Sequence, residues 1–391
     1  MTVRVQRANV DYGRLSFMII FSVIFYNEIV VYFRYYAAWP ELEQSSPVLK
    51  ILFVADPQIL GFEDQDNVFV SWIARWDSDR YLSKTFSWAT YAFTPDVVVF
   101  LGDLLNEGSE CNDVEFQSYV RRFKGIFDSK AVKIYVAGDN DIGGEGSDPI
   151  TPHKVERFKK NFPIRSNYFF QWNDDKVVQR YELDKQDDEN KKPMIEIIPA
   201  NILTFKSTEQ DWFDVTTEPH ANVKFRLVVS HMPILPTPNP SFSKEVMARL
   251  KPHLIFSAHD HRGLDFSTSK IKSGPSTHRV GNITFFTQED EESLITLSSS
   301  DDLIHEIIVP TSNYRMGVRE MAFGLGVVNF EDNTMTYVNL WLPSRFPLLY
   351  VYLASLSIAF SLYLIGKGKR RRPSTPKSRS RSSSINYTKL V

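Results

Sequence analysis

The chain is built from apolar runs of two lengths. Two are long: LSFMIIFSVIFYNEIVVYFRYYAAW at residues 15–39 and FPLLYVYLASLSIAFSLYLIG at residues 346–366. As helices rising ~1.5 Å per residue, both are long enough for the ~30 Å hydrocarbon core of a bilayer. Asn27 and Glu28 interrupt the first run near its centre. A charge there is costly unless it meets a partner or water, so Glu28 is expected on the lipid face or against the second run. The first run also lacks the shorter apolar region and small-residue cleavage site of a removable signal.

Between the long runs lie short ones, rich in β-branched residues and bounded by turns, which read as buried parallel strands. Three end in acids: LKILFVADPQ at Asp56 and Gln58, DVVVFLGD at Asp103, and AVKIYVAGDND at Asp139 to Asp141. Two end in imidazoles: VKFRLVVSHMP at His231, and HLIFSAHDH at His259 and His261. Residues 78–93, 114–128 and 153–162 read as helices, the first capped by Asp77 to Asp79. Further strands are expected near 194–205 and 223–230, and 281–340 is β-rich. The pattern predicts an α/β fold with two packed mixed sheets and helices on both outer faces. Carboxylates and imidazoles gathered at one sheet edge form a mixed oxygen and nitrogen donor set suited to two divalent cations such as manganese, iron or zinc.

Charge changes the picture at the ends. After position 366 there are nine basic residues and no acid, so a net charge of −2 for all 391 residues leaves about −11 for the rest. So acidic a body argues against nucleic-acid binding. KGKRRR follows the second long run, and Arg4, Arg7 and Arg14 precede the first, so both ends are expected in the cytosol and residues 40–345 on the opposite side. The expected organisation is a cytosolic amino terminus at 1–14, a span at 15–39, a lumenal domain at 40–345, a span at 346–366 and a basic, disordered tail at 367–391. Cys111 is the only cysteine, so no intramolecular disulfide is expected.

The ordered motifs D-x-Q, GD, GDND, SHMP and AHDH resemble those of the calcineurin-like metallophosphoesterase superfamily, D-x-H, GD, GNH[DE], H and GHxH. NEIVVYF, GDLLNEG, DIGGE, KVERFKKNF and TSNYRMG resemble the membrane-anchored group containing the GPI-glycan ethanolamine-phosphate phosphodiesterase and the yeast cell-division-control metallophosphoesterase. The resemblance implies a four-layer sandwich and two metals, manganese first. Asp56, Gln58, Asp103 and His261 would hold one; Asp103, Asp139, His231 and His259 would hold the other, with Asp103 bridging. Asn140 and Asp141 fall at the catalytic positions, and Arg315 at a substrate-binding one.

Two departures matter. Gln58 stands where the family pattern has histidine, and Asn140 stands where it has the histidine credited with protonating the leaving oxygen. Asparagine has no proton of suitable acidity, and losing a general acid costs about 10²- to 10⁴-fold in rate. His153 follows shortly and is a candidate substitute. Two functional readings therefore stand. One is a phosphodiesterase of the endoplasmic reticulum or Golgi acting on GPI-anchored proteins or the GPI glycolipid. The other is an impaired member of the fold that binds such cargo or its sorting receptors.

Overall fold

The computed structural model describes residues 11–41, 47–62, 68–173, 176–180, 192–205, 222–236, 240–269, 281–289 and 294–370. The basic tail beyond 370, Arg4, Arg7 and most of the charged loop at 184–192 lie outside them. The chain divides into two units, residues 1–31 with 346–391, and residues 32–345.

The first apolar run is helical throughout, as α1 (Tyr12–Phe25), a π-helical turn (Tyr26–Val30) and α2 (Val31–Ala38). With the last helix it gives two helices long and apolar enough to cross a membrane, Tyr12–Ala38 and Arg345–Gly368. Within the first unit, the polar pair at the π turn is met from the second apolar helix. The Asn27 amide donates to the Leu348 carbonyl at 3.0 Å, and the Tyr352 hydroxyl donates to Glu28 at 2.8 Å. Of the two places expected for Glu28, the helix contact is the one found.

The second unit follows the strand pattern. Its strands are β1 (Val48–Val54), β2 (Val97–Phe100), β3 (Val132–Tyr135), β4 (Tyr168–Asn173), β5 (Lys176–Arg180), β6 (Met194–Pro199) and β7 (Val223–Val229). They continue as β8 (Leu254–Ser257), β9 (Leu264–Ser269), β10 (Asn282–Phe285), β11 (Ile295–Ser298), β12 (Leu303–Ile308), β13 (Met321–Asn329) and β14 (Thr334–Leu342). The helices are α3 (Val68–Phe93), α4 (Asp113–Ile126), α5 (Asp139–Ile142), α6 (Pro152–Asn161), α7 (Ile202–Phe205) and α8 (Pro240–Glu245), and α9 (Arg345–Arg370) closes the described chain.

Six strands form one mixed sheet, in the order β11-β14-β13-β1-β2-β3, and eight form the other, β10-β9-β12-β8-β7-β6-β4-β5. The alternation within β1 sorts the layers. Leu49, Ile51 and Phe53 face the second sheet, where Phe53 stacks on Phe256 with centroids 4.0 Å apart. Leu52 and Val54 face the other way, into a layer with Tyr81, Leu82 and Phe86 of α3 and Phe116 and Phe123 of α4. Beyond the eight-stranded sheet, Val228, Ile255 and Ile304 pack with Phe242 and Val246. Two mixed sheets flanked by helices result, with the acid-ended strands β1, β2 and β3 side by side and parallel, and β7 parallel to β8.

Two local expectations are corrected. Helix α3 begins at Val68, ten residues earlier than its amphipathic part indicates, so Asp77 to Asp79 lie inside it and cap nothing. Asp77 is instead buried, bound by the Arg345 guanidinium at 2.6 Å and the Tyr314 hydroxyl at 2.8 Å. Asp77→Ala leaves Arg345 buried without its counter-charge and is expected to cost about 3 kcal/mol in a chemical denaturation measurement, whereas exposed ion pairs cost under ~1 kcal/mol. The strand expected at 194–205 stops at Pro199, which has no N–H for the ladder, and Asn201 caps the short α7 through the Leu203 N–H at 2.9 Å.

Candidate metal centre

The acid-bearing loops leave the six-stranded sheet and the histidine loops leave the eight-stranded one, so the centre lies where the ends of two sheets meet. Close approach there requires glycine. A Cβ on Gly102 would lie 2.5 Å from the His231 ring, and one on Gly138 would lie 2.1 Å from Asp103 Oδ1. The aspartate that follows each strand can then turn inward without a side chain blocking it.

Backbone strain concentrates here. Among the described residues, eight non-glycine positions have positive φ, and five of them are Asp56, Gln58, Asp103, His259 and His261. Such conformations cost of order 1–3 kcal/mol each and persist only where surrounding contacts enforce them. For Asp56 and Gln58 the enforcing segment is identifiable. Thr311 Oγ1 donates to the Asp56 carbonyl at 2.9 Å and Ser312 Oγ to that of Ala55 at 3.0 Å. The Asn313 amide donates to the carbonyl of Pro57 at 2.9 Å. Asn313→Ala removes the part of this brace that holds the Pro57 and Gln58 carbonyls, without touching a donor atom of the centre. It is expected to weaken metal affinity about 10-fold, the lower end of what outer contacts to a metal site contribute, as read by metal titration calorimetry.

His231 is the hub. It is fully buried; its Nδ1 donates to the Leu101 carbonyl at 2.9 Å, leaving Nε2 facing Asp139 Oδ1 at 2.9 Å and Asp103 Oδ1 at 3.5 Å. His259 Nδ1 lies 3.3 Å from the same Asp139 oxygen. Two groups emerge in which the donor atoms lie within 4.8 Å of one another, Asp139 with His231 and His259, and Asp56 with Asp103 and His231. Gln58 and His261 join through contacts. The Gln58 amide nitrogen donates to Asp103 Oδ2 at 3.0 Å and sits 3.4 Å from His261 Nε2. Gln58 thus offers nitrogen where a ligand must offer oxygen, and ligation by it requires a half-turn of the amide.

The donors fit divalent cations. Neither Asp56 carboxylate oxygen, both buried, accepts a hydrogen bond within normal geometry, although the His259 N–H is turned toward that group; a buried carboxylate so left suits a cation. Burial, with Asp103 adding to it, raises Asp56 to about 8. Burial alone would lower His231, but Asp103, Asp139 and Asp56 outweigh it and hold the imidazole at about 10. Asp139 is likewise opposed by burial, yet its hydrogen bonds with His231 and His259 hold it well below the usual carboxylate range.

These shifts carry a sign. Asp56 and Asp141 stand at about 8 against an ordinary 3.8, and His231 at about 10 against 6.5, so each binds its proton more tightly folded than unfolded. Their stabilisation is complete below the ordinary values and is lost as pH rises through the folded ones. The melting temperature of metal-free protein is therefore expected to fall between about pH 5 and about pH 9, and divalent cations, which need deprotonated donors, to restore more of it at the upper end. A rising profile in thermal denaturation would contradict this.

The remaining expected residues divide. Asn140 donates twice to Asp103, from its backbone N–H to Oδ1 at 3.0 Å and from its amide to Oδ2 at 2.6 Å. Asp141, expected at a catalytic position, is fully buried and accepts from the N–H groups of Leu104, Leu105 and Gly138, contacts that shape the loop. Arg315 engages Asn313 through its N–H and Tyr314 through its side chain. His153, the candidate substitute for the missing histidine, is exposed and lies 3.5 Å from Asp113. Residues not foreseen in role include the Thr311 to Asn313 brace, Glu145, which hydrogen-bonds Asp139, and buried Glu306, which accepts from Ile234 and Leu235 just after His231. Only the brace and Glu145 had a signal, in TSNYRMG and DIGGE.

The family model described as calcineurin-like phosphoesterase matches residues 49–263, more than half of the chain. The chain belongs to the calcineurin-like phosphoesterase family. It is a metallophosphoesterase by fold, and membership of the family supports metal-dependent phosphoester hydrolysis. The chain is similar to the metallophosphoesterase 1 homolog of Caenorhabditis elegans, 28% identical over 155 residues that cover 38% of this chain and 40% of that protein. It is similar to metallophosphoesterase 1 of Danio rerio, 31% identical over 164 residues, 39% of this chain and 41% of that protein. The match thus spans about two-fifths of these relatives' length. Among solved structures, a dimetal phosphatase from Danio rerio aligns with a TM-score of 0.41 and 14% identity, covering 76% of this chain and 98% of that one.

Proposed function

We propose that this metallophosphoesterase is a membrane-anchored phosphodiesterase. It removes ethanolamine phosphate from the glycan of GPI-anchored proteins or the GPI glycolipid, on the lumenal side of the endoplasmic reticulum or Golgi. The observation that carries the reading is the gathering of Asp56, Asp103, Asp139, His231 and His259, with both oxygens of the buried Asp56 carboxylate accepting no hydrogen bond of normal geometry. Two apolar helices at the ends of the described chain, and basic flanks to both long runs, support a tether with both termini in the cytosol. Held beside a lipid-anchored substrate, the site works at high local concentration instead of by free diffusion.

Bound divalent cations, manganese first and iron or zinc as alternatives, supply charge neutralisation at the phosphoryl oxygens and an acidified water. The chain's own contribution is positional. Leu101 fixes the tautomer that aims His231 Nε2 inward, and the 311–313 segment holds Asp56 in place. Asn140 orients Asp103 and can offer an N–H to a phosphate oxygen, but no proton to a leaving oxygen. That amide, engaged with Asp103 at 2.6 Å, favours the second reading, an impaired site that binds GPI-anchored cargo or a sorting receptor. The direct test is release of phosphoethanolamine from a GPI glycan by the full chain in vesicles with manganese. Release that exceeds hydrolysis of simple phosphomonoesters supports the first reading; monoester preference or no release overturns it.

A further inference from the structure

Helix α3 carries a stripe of exposed apolar side chains. Phe69 is 67% exposed, Trp72 57%, Ile73 40% and Trp76 53%, while Ser71, Asp77, Ser78, Tyr81 and Leu82 are buried. The exposed positions recur at three- and four-residue steps, so they share one face, and Arg80 continues it one turn on with its guanidinium 5.6 Å from the Trp76 ring. Four large apolar side chains exposed together on one helix face mark an interaction surface.

The neighbours of that stripe say what covers it. Asp77, next to Trp76, binds Arg345, the residue from which α9 leaves the second unit, and the Tyr81 hydroxyl donates to the Pro343 carbonyl at 3.0 Å. Farther along α3, Trp88 lies 4.9 Å from Tyr36 and Phe93 5.9 Å from Trp39, at the end of the first apolar helix. Within the second unit, the chain segments that lead into both apolar helices therefore pack on α3. From Asp77 to Phe69 is eight residues, about 12 Å of helix, so the stripe starts beside the root of a membrane span and ends within about 12 Å of it. Tryptophan and phenylalanine with a nearby arginine is the composition that settles at the boundary between acyl chains and headgroups.

We propose that this face of α3 docks on the bilayer into which the apolar helices pass, with Phe69, Trp72, Ile73 and Trp76 in the interfacial layer and Arg80 among the headgroups. The inference rests on the membrane-tethered reading above. Docking adds a surface contact to the tether and so fixes the height of the metal centre over a lipid-anchored substrate. The anchor is shared, because Asp77 also accepts from Tyr314, which directly follows the segment bracing Asp56.

The test uses the full chain with Cys111→Ser and one new cysteine, Phe69→Cys, Trp76→Cys or, as a control, Val114→Cys, which is 79% exposed on α4. Each is labelled with a polarity-sensitive fluorophore and reconstituted into phosphatidylcholine and phosphatidylserine vesicles carrying headgroup-proximal nitroxide lipids, with iodide on both sides in a parallel sample. Positions 69 and 76 are expected to be quenched by the nitroxide lipids about twofold more than position 114, and less by iodide. If iodide quenches all three alike and the lipids quench none, the docking proposal is overturned. Protection from both quenchers together with copy-to-copy cross-linking at position 76 overturns it in favour of a protein interface. Alkaline extraction of the same vesicles separates the two claims. A chain that is stripped off refutes the membrane reading itself; one that stays embedded while its labels remain wet refutes only the docking.

Discussion

Asp103→Asn is expected to lower phosphoester turnover by about 10³-fold while leaving the fold intact. Each oxygen of Asp103 has partners of its own. Oδ1 accepts the Asn140 N–H and lies 3.5 Å from His231 Nε2, while Oδ2 accepts from Gln58 and Asn140. Asparagine keeps the volume but replaces one oxygen by a donor, which then faces the amides it formerly accepted from. The site loses a negative charge from a carboxylate that lies among the candidate metal donors. Cations contribute several kcal/mol to transition-state stabilisation, and each 1.36 kcal/mol is tenfold in rate, so a loss of about 10³-fold follows. Rates measured at saturating manganese, alongside circular dichroism, check it; an unchanged rate in a folded variant removes Asp103 from the mechanism.

Asn140→His is expected to act in the opposite direction, and selectively. A general acid contributes about 10²- to 10⁴-fold when the leaving oxygen is a poor one. Asn140 sits on α5 with its amide 2.6 Å from Asp103, so an imidazole at that position stands beside the Asp103 carboxylate. Turnover of an alkyl diester is expected to rise about 10²-fold, and that of a nitrophenyl ester, whose leaving group needs no proton, to change little. The variant should also acquire a loss of activity at alkaline pH as the new imidazole deprotonates. Equal rates on both esters would mean that another group already supplies the proton.

Much of this site is readable along the chain because each donor directly follows a strand, and strand ends are where the periodicity is clearest. Asp56, Asp103 and Asp139 follow β1, β2 and β3, and His231 and His259 follow β7 and β8. What could not be read depends on contacts distant in sequence. Thr311 braces Asp56 across 255 positions, and no local pattern reports that. The orientation of the Gln58 amide depends on Asp103 and His261. The start of α3 was hidden because its first turns expose Phe69, Trp72 and Trp76, which breaks the amphipathic period that marks the rest of the helix. Asp77 read as a cap because its partner, Arg345, lies at the far end of the domain sequence.

The central claim is that two cations are held by residues from the ends of both sheets. Anomalous diffraction from crystals of the full chain grown with manganese tests it most directly. Two peaks about 3.5–4 Å apart are expected, with Asp103 between them, Asp56 on one, and His231 with His259 on the other. No peak at these residues in manganese-saturated crystals, or peaks at other positions, would contradict the account.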